Sequence, residues 1–303
     1  MVSIAVSDLR YSYNDVIAVD GISFNVSQGE IFGLLGPNGA GKSTTTEILV
    51  GLKKRDSGQV QVLDLDPWVE NKELKNRIGV QLQTPALFDK LTVTELLNLF
   101  ASFYSNPLRV NDVIEMVGLS EKAKTLSMKL SGGQLQRLSV ALALISNGET
   151  IFLDEPTTGL DPQSRRGLWD VIEKIKAEGR TVFLTTHYMD EAERLCDRVA
   201  IIDQGKIIAM GTPRELVQTH FAEQALEFVI KPEQAEIVKN ILPASSRLEL
   251  EGELATVYTK EVPEAIEALL SLTGNGFRLA RFTVRSATLE DVFLKLTGRR
   301  IRE

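Results

Sequence analysis

The residues best suited to chemistry begin at Gly36. The stretch Gly36-Pro37-Asn38-Gly39-Ala40-Gly41-Lys42-Ser43 fits the spacing G-x-x-x-x-G-K-[ST], and Thr44 and Thr45 follow it. Glycines let the backbone aim several N–H groups at one point, and a helix starting behind them adds positive potential. A phosphate chain is then held largely by main-chain donors. Lys42 offers an ammonium to the terminal phosphates, and the Ser43 hydroxyl suits Mg²⁺. The pattern lies between an apolar run ending at Leu35 and a helical stretch to about Val50, the setting it requires.

A second acidic and a second glycine-rich segment follow. Ile151-Phe152-Leu153 is an apolar strand ending in Asp154-Glu155, which puts both carboxylates at the carboxyl edge of a sheet, where the phosphate loop also emerges. Asp154 suits the support of Mg²⁺ through a coordinated water, and Glu155 the orientation or deprotonation of an attacking water. Alone, such a pair is more often a solvated turn; beside Lys42 the balance reverses. Leu130-Ser131-Gly132-Gly133-Gln134 precedes an apolar helix through Leu138, Ala141 and Ile145, so Ser131 and the two glycines form another helix N-terminus open to an anion.

L-S-G-G-Q about ninety residues after G-K-S-T resembles the signature of ABC ATPases, and the likeness runs from roughly residue 3 to 218. The resemblance implies a P-loop α/β fold of ABC type: a RecA-like core, an antiparallel β subdomain and a helical subdomain at about 85–147. It implies ATP and Mg²⁺ as ligands and gives further positions their roles. Tyr13 is similar to the aromatic residue that stacks on adenine, with Tyr11 the competing candidate. Gln83 is similar to the glutamine that contacts Mg²⁺ or water, with Gln81 nearby leaving the register open. Asp161, in Gly159-Leu160-Asp161, resembles the aspartate of the D-loop and also suits the N-cap of a helix opening at Pro162. His187 looks like the switch histidine at the γ-phosphate, whereas His220 has no comparable setting. In that family the phosphate loop of one subunit and the signature of another enclose each ATP. Ser131, Gly132, Gly133 and Gln134 are therefore expected to act across a homodimer or heterodimer, beside a separate membrane-spanning permease.

Around these residues, short apolar strands at Ile151–Leu153, Thr181–Thr185 and Arg198–Ile202 alternate with helices at Pro162–Ala177 and Met189–Leu195, which reads as a parallel, buried sheet. The chain opens β-rich, at Ile4–Asp8, Ile17–Val26 with Asp20-Gly21 interrupting it, and Glu30–Leu35. A hairpin turn is expected at Asp203-Gln204-Gly205-Lys206. After about residue 220 the pattern becomes strand, helix, strand, strand, helix, strand (the last at Phe277–Val284), then a helix at Leu289–Leu296. That is a small α+β domain of ferredoxin-like order over 221–303. Its end, Ser286 to Leu294 with Leu296-Thr297-Gly298, resembles the tail of bacterial ABC subunits that serve ABC-2-type exporters. The tail implies export of drugs, lipids, polysaccharides or ions.

Composition narrows the class. With 43% hydrophobic and 25% charged residues, a sizeable core is buried, and a formal charge of −7 speaks against general nucleic-acid binding. Cys196 is the only cysteine, which excludes an internal disulfide and fits a reducing cytosol. No run approaches the ~20 apolar residues of a membrane-spanning helix, and no signal peptide opens the chain. Membrane contact is therefore expected to be peripheral, on the cytoplasmic face, or through a partner. A soluble ABC ATPase acting on ribosomes or nucleic acid, and a regulator that binds nucleotide without turnover, are the alternatives. The first would bring tandem cassettes, long insertions or zinc cysteines, and the second would lack Glu155 and His187.

Overall fold

The computed structural model describes residues 1–83, 88–221, 224–272 and 280–298. They divide into two contact units, Met1–Pro213 and Arg214–Arg300. In the first, β1 (Val2–Tyr13) and β2 (Val16–Ser27) pair antiparallel. Ile4, Val6 and Leu9 of β1 and Ile22, Phe24 and Val26 of β2 turn to the interior. The interruption expected at Asp20-Gly21 is instead a bulge inside one long strand. Leu9 pairs with Ile22 and Arg10 with Asp20, and Gly21 takes up the extra residue at φ 71°. β3 (Ile31–Leu35) is buried at every position, and α1 (Lys42–Leu49) follows the phosphate loop directly.

Three short elements that the sequence reading left unassigned come next: β4 (Ser57–Val62), α2 (Asn71–Lys75) and β5 (Ile78–Gln81). β4 completes a three-stranded antiparallel sheet of order β2-β1-β4. The region expected to be helical holds α3 (Val93–Ala101), α4 (Val110–Met116) and α5 (Gly132–Leu144); its expected beginning, 85–87, lies outside the described residues. β6 (Thr150–Asp154), α6 (Pro162–Ala177), β7 (Thr181–Thr186), α7 (Met189–Leu195), β8 (Arg198–Asp203) and β9 (Lys206–Gly211) complete the unit.

The larger sheet runs β5-β6-β7-β3-β8-β9, parallel except for β9 at its edge. One core joins the two sheets and α1: Ile4, Leu9, Val26 and Val60 meet Phe32, Leu34, Phe152 and Phe183, with Ile48 and Leu49 from α1. The aromatic rings form a row. Phe24 stacks on Phe32 at 5.3 Å between centroids, and Phe183 lies 5.7 Å from Phe152 and 6.1 Å from Phe32. Apolar burial on both faces of the central strands is what allows them to be parallel and short.

α8 (Pro213–His220) opens at the division between the two units, and all of it after Pro213 belongs to the second. The helix end is held within this unit: Lys295 donates to the His220 carbonyl and lies over the Phe221 ring. β10 (Gln224–Val229), α9 (Ala235–Ile241), β11 (Arg247–Glu251), β12 (Leu254–Thr259), α10 (Val262–Ser271) and β13 (Ala280–Arg285) give the expected βαββαβ order. The sheet order is β11-β12-β10-β13, all neighbours antiparallel. The residues expected to begin the last strand, 277–279, lie outside the described ones. Leu226, Phe228, Val238, Val257, Ala265 and Leu269 make a separate core. α11 (Leu289–Thr297) is capped by Thr288 and Asp291 in a reciprocal box, and Arg285 grips Asp291 at 2.6 and 2.7 Å.

Phe183 is fully buried at the centre of the aromatic row. Phe183→Ala is expected to lower the unfolding free energy of the first unit by about 3–5 kcal/mol in urea titrations. A loss below about 1 kcal/mol would show that the row does not hold the two sheets together.

Candidate functional site

The candidate site stands at the carboxyl ends of three neighbouring strands. In the sheet β6, β7 and β3 lie side by side, with Asp154 opposite Thr185 and Leu35 opposite Thr186. The residues just past those ends, Glu155, His187 and the Gly36 loop, are delivered to one place by strand register alone. Two glycines show how tightly the loop is seated. A Cβ on Gly36 would stand 2.2 Å from the Ile202 carbonyl oxygen. Gly41, at φ 107°, would bring one to 2.4 Å from the Ala18 oxygen. Both positions need glycine, the second also for its left-handed backbone.

Lys42 opens α1 and folds back over the loop, donating to the carbonyl oxygens of Gly36 at 2.8 Å and Pro37 at 3.1 Å. Its ammonium also lies 3.0 Å from Glu155 Oε1, with both side chains only 4% exposed. The second Glu155 oxygen collects three neighbours. His187 Nδ1 is at 3.2 Å, Thr158 Oγ1 donates at 3.2 Å, and Gln83 Nε2 donates at 3.5 Å. A carboxylate only accepts, so the proton of the His187 contact sits on Nδ1. Burial works against the charge on Glu155, but the hydrogen bond from His187 and the Lys42 ammonium outweigh it and hold the carboxyl at about 2. Its backbone is in the left-handed region, φ 50°, which is uncommon for a side-chain-bearing residue. The strain is met by two hydrogen bonds from its N–H, to the Thr185 oxygen at 3.1 Å and to Thr185 Oγ1 at 3.0 Å.

Asp154 is displaced the other way. Burial raises its pKa, against hydrogen bonds from Thr185 and Ser43. The Ser43 hydroxyl and the Asp154 carboxyl are thus in contact, oxygen donors of the kind a hard divalent cation takes. Among the described residues no cluster of three or more His, Cys, Asp or Glu could hold a metal unaided. A Mg²⁺ ion here would draw its other ligands from phosphate oxygens and water, and Ser43 with Asp154 fits that incomplete shell.

The two open choices of register differ sharply in space. Gln83 is exposed and reaches Glu155, while Gln81 is buried and donates to the main-chain oxygens of Leu82 and Asp154. Tyr13 is 42% exposed, its hydroxyl 3.3 Å from Thr44 Oγ1, with the Lys53 ammonium 4.4 Å from its ring centre. Tyr11 meets the Tyr13 ring edge-on and packs against the core. Thr45 is buried and donates to the Gly41 oxygen, locking the first turn of α1. Gly39 has open space around it, and Ala40 donates its N–H to the Pro37 oxygen, closing the loop beside Asn38.

Ser131, Gly132, Gly133 and Gln134 gather elsewhere, around the start of α6. Ser131 caps α5, accepting from the Gln134 N–H at 3.3 Å while the Gln134 side chain accepts from the Ser131 N–H at 3.1 Å. A Cβ on Gly133 would come 2.7 Å from Ser164 Oγ. That same hydroxyl donates to Asp161, whose other oxygen caps α6 by accepting from the Gln163 and Ser164 N–H groups, both at 3.0 Å. Ser131 and Gly132 remain exposed. Sequence reasoning passed over Thr185, Thr158 and Lys53. Thr185 was detectable, since a hydroxyl residue two before His187 on the strand next to Asp154 must face that carboxylate's neighbourhood.

Comparison with known proteins accords with this geometry. The ABC transporter family model matches residues 19–158, and the model of the nodulation factor export protein NodI C-terminal domain matches residues 235–298. Two relatives described as Nod factor export ATP-binding protein I are each 38% identical: one from Burkholderia thailandensis, covering 96% of this chain and 95% of its own, and one from Rhizobium sp. (strain N33), covering 100% and 99%. Among solved structures, an ATP-binding subunit of an ABC transporter is 28% identical with a TM-score of 0.65, covering 71% of this chain and 92% of its own. A dimeric bacterial ABC transporter cassette is 27% identical with a TM-score of 0.61, covering 69% and 98%. With a seated phosphate loop, a buried lysine–glutamate pair and relatives matched over nearly their full length, the chain belongs to the family of ABC transporter ATP-binding subunits, an ATP-hydrolysing subunit that energises export by a separate permease.

Proposed function

We propose that hydrolysis runs on the cluster at the three strand ends, with Mg²⁺ as the metal and with the residues in the following roles. The observation that carries this reading is the convergence of Lys42, His187 and Gln83 within hydrogen-bonding reach of the Glu155 carboxylate. Lys42 exchanges the Gly36 and Pro37 carbonyls and Glu155 for the β- and γ-phosphates, while loop N–H groups at the start of α1 hold the rest of the chain. Losing its cation makes Glu155 more basic, so the group that orients the attacking water is freed when the phosphate arrives. His187 then supports the γ-phosphate, Ser43 and Asp154 serve the Mg²⁺ with Gln83 beside it, and Tyr13 offers a ring face to the base. Mg²⁺ neutralises charge between phosphate oxygens when bound.

Ser131, Gly132, Gly133 and Gln134, at the start of α5 with the first two exposed, are read as the cap on nucleotide held by a second cassette, with Asp161 near the seam. The dimeric cassette among the structural neighbours supports that reading. Residues 221–303 are read as an accessory domain that stabilises or regulates the pair. Cargo contacts belong to the permease, and the name shared by the relatives makes Nod factor the first cargo to test.

A groove of about 500 Å³ between α2, β5 and the end of α3 supplies a docking surface for the permease. Leu52, Leu82 and Phe103 line it and are 48, 36 and 64% exposed, with Lys72 and Lys75 at its rim. Such a surface suits a short amphipathic segment with an acidic flank. No helix among the described residues is long and apolar enough to cross a membrane. On this reading the chain reaches the cytoplasmic face of the membrane through that partner.

Lys42→Ala is expected to abolish steady-state hydrolysis, by at least about a hundredfold; a normal rate would remove the phosphate-loop assignment. Glu155→Gln is expected to keep ATP binding while losing turnover. The same variant also reads the ion pair. Because the folded Glu155 carboxyl lies at about 2 rather than 4.5, its contribution is present above 4.5 and fades as pH falls towards 2. Acid unfolding of Glu155→Gln should therefore be flatter over that window than that of the parent, and superposable curves would refute the pair. Phe103→Glu should stop co-purification with a polytopic membrane protein from detergent extracts while leaving the isolated ATPase rate unchanged. Recovery of ribosomes or nucleic acid alone by the parent chain would overturn the transport reading.

A further inference from the structure

Behind the reacting groups lies a carboxyl that the roles above leave unused. Glu191, on α7, is 0% exposed. The Trp169 indole on α6 donates to its Oε1 at 2.9 Å, and the Thr186 and Thr157 hydroxyls face the group. Even so, Glu191 Oε2 and Thr157 Oγ1 are both buried with no closed hydrogen bond among the described residues. Two unsatisfied polar atoms side by side are costly unless a proton is shared between them.

The partners are what give the group its interest. Thr157 lies just past Glu155, at the turn where the Leu160 N–H donates to the Thr157 oxygen. Thr186 immediately precedes His187, and its hydroxyl accepts from the Tyr188 N–H at 2.9 Å. Trp169 belongs to α6, the helix that Asp161 caps and Gly133 rests on. One buried side chain therefore touches the segment after Glu155, the segment before His187 and the helix behind the glycine-rich turn.

We propose that Glu191 is a positioning residue, pinning these three segments together as a neutral carboxylic acid and so setting the 3.2 Å gap between Glu155 and His187. Burial raises its pKa against the hydrogen bonds from Thr186, Trp169 and Thr157, and the nearby Asp190 adds to the rise, which favours the protonated form. A neutral acid has one O–H to give, and Thr157 Oγ1 is the acceptor beside it that lacks a donor. An ionised carboxylate at this depth would meet the Trp169 N–H and the two threonine hydroxyls but no cation. The inference rests on the proposed roles of Glu155 and His187.

The test compares Glu191→Gln with Glu191→Ala in the full chain. An amide can still accept from Trp169 through its oxygen and donate to Thr157 through its nitrogen, whereas alanine does neither. Glu191→Gln is expected to keep kcat for ATP within about threefold of the parent, and Glu191→Ala to lose roughly tenfold to a hundredfold while its affinity for MgATP is retained. In a Trp68→Phe background, where Trp169 is the sole indole, emission should shift to the red for the alanine variant alone. Should Glu191→Ala not fold, Trp169→Phe removes the indole donor and is expected to lower kcat in the same sense with affinity unchanged. Equal impairment of the glutamine and alanine variants, full activity of the alanine variant, or matched loss of affinity and kcat would overturn the proposal. Glu155→Gln run in parallel separates the two levels: normal turnover there defeats the underlying reading, whereas an inactive Glu155→Gln beside a fully active Glu191→Ala defeats only this inference.

Discussion

Lys42 and Glu155 face one another at 3.0 Å with their side chains almost wholly out of water, each offsetting part of the cost of burying the other's charge. A buried pair of this kind adds little to net stability, because desolvation takes back most of the Coulomb attraction. Removing one partner is different, since the survivor is left uncompensated. The pair therefore acts as a constraint more than a strut. It obliges the start of α1 and the turn after β6 to approach closely, and the parallel register of β6, β7 and β3 makes that approach possible. Thr185 completes the arrangement by serving two neighbours at once, donating to Asp154 and accepting from the Glu155 N–H.

Much of this was open to reading from the residues. Pro162–Ala177 and Met189–Leu195 are helices with the limits that Asp161, Pro162 and the apolar spacing foretold. The βαββαβ order of the second unit followed from alternation and turn residues alone. α2 and β5 escaped because they are too short to display a period: Asn71–Lys75 is barely a turn and a half, and Ile78–Gln81 carries a glycine, whereas β4, with Gln59-Val60-Gln61-Val62 alternating, was legible as a strand. Their identity is settled by the strands they lie against. The bulge at Gly21 escaped for a related reason, as Asp20-Gly21 is the same signal whether a strand ends or swells.

At the site, spacing could name residue types but not directions. Gln81 ends β5 and Gln83 lies two residues beyond it, yet one is buried against main-chain oxygens and the other reaches the Glu155 carboxylate. Tyr11 and Tyr13 divide in the same way, between core and surface. Thr185, Thr158 and Lys53 carry no motif of their own and acquire meaning from strands and loops distant in sequence. The segment at Ser131 was found through its letters, whereas its attachment to Ser164 and Asp161 is a tertiary fact.

The seating of Gly36 against Ile202 bears on how readily nucleotide is received. With the Cα of Gly36 so near the Ile202 carbonyl that no side chain could intervene, the loop is an extension of the sheet rather than a flap that must condense around its guest. The chain surrenders its conformational freedom there while folding. A triphosphate then meets donors already aimed, and the free energy of its contacts goes to holding it instead of to arranging the host.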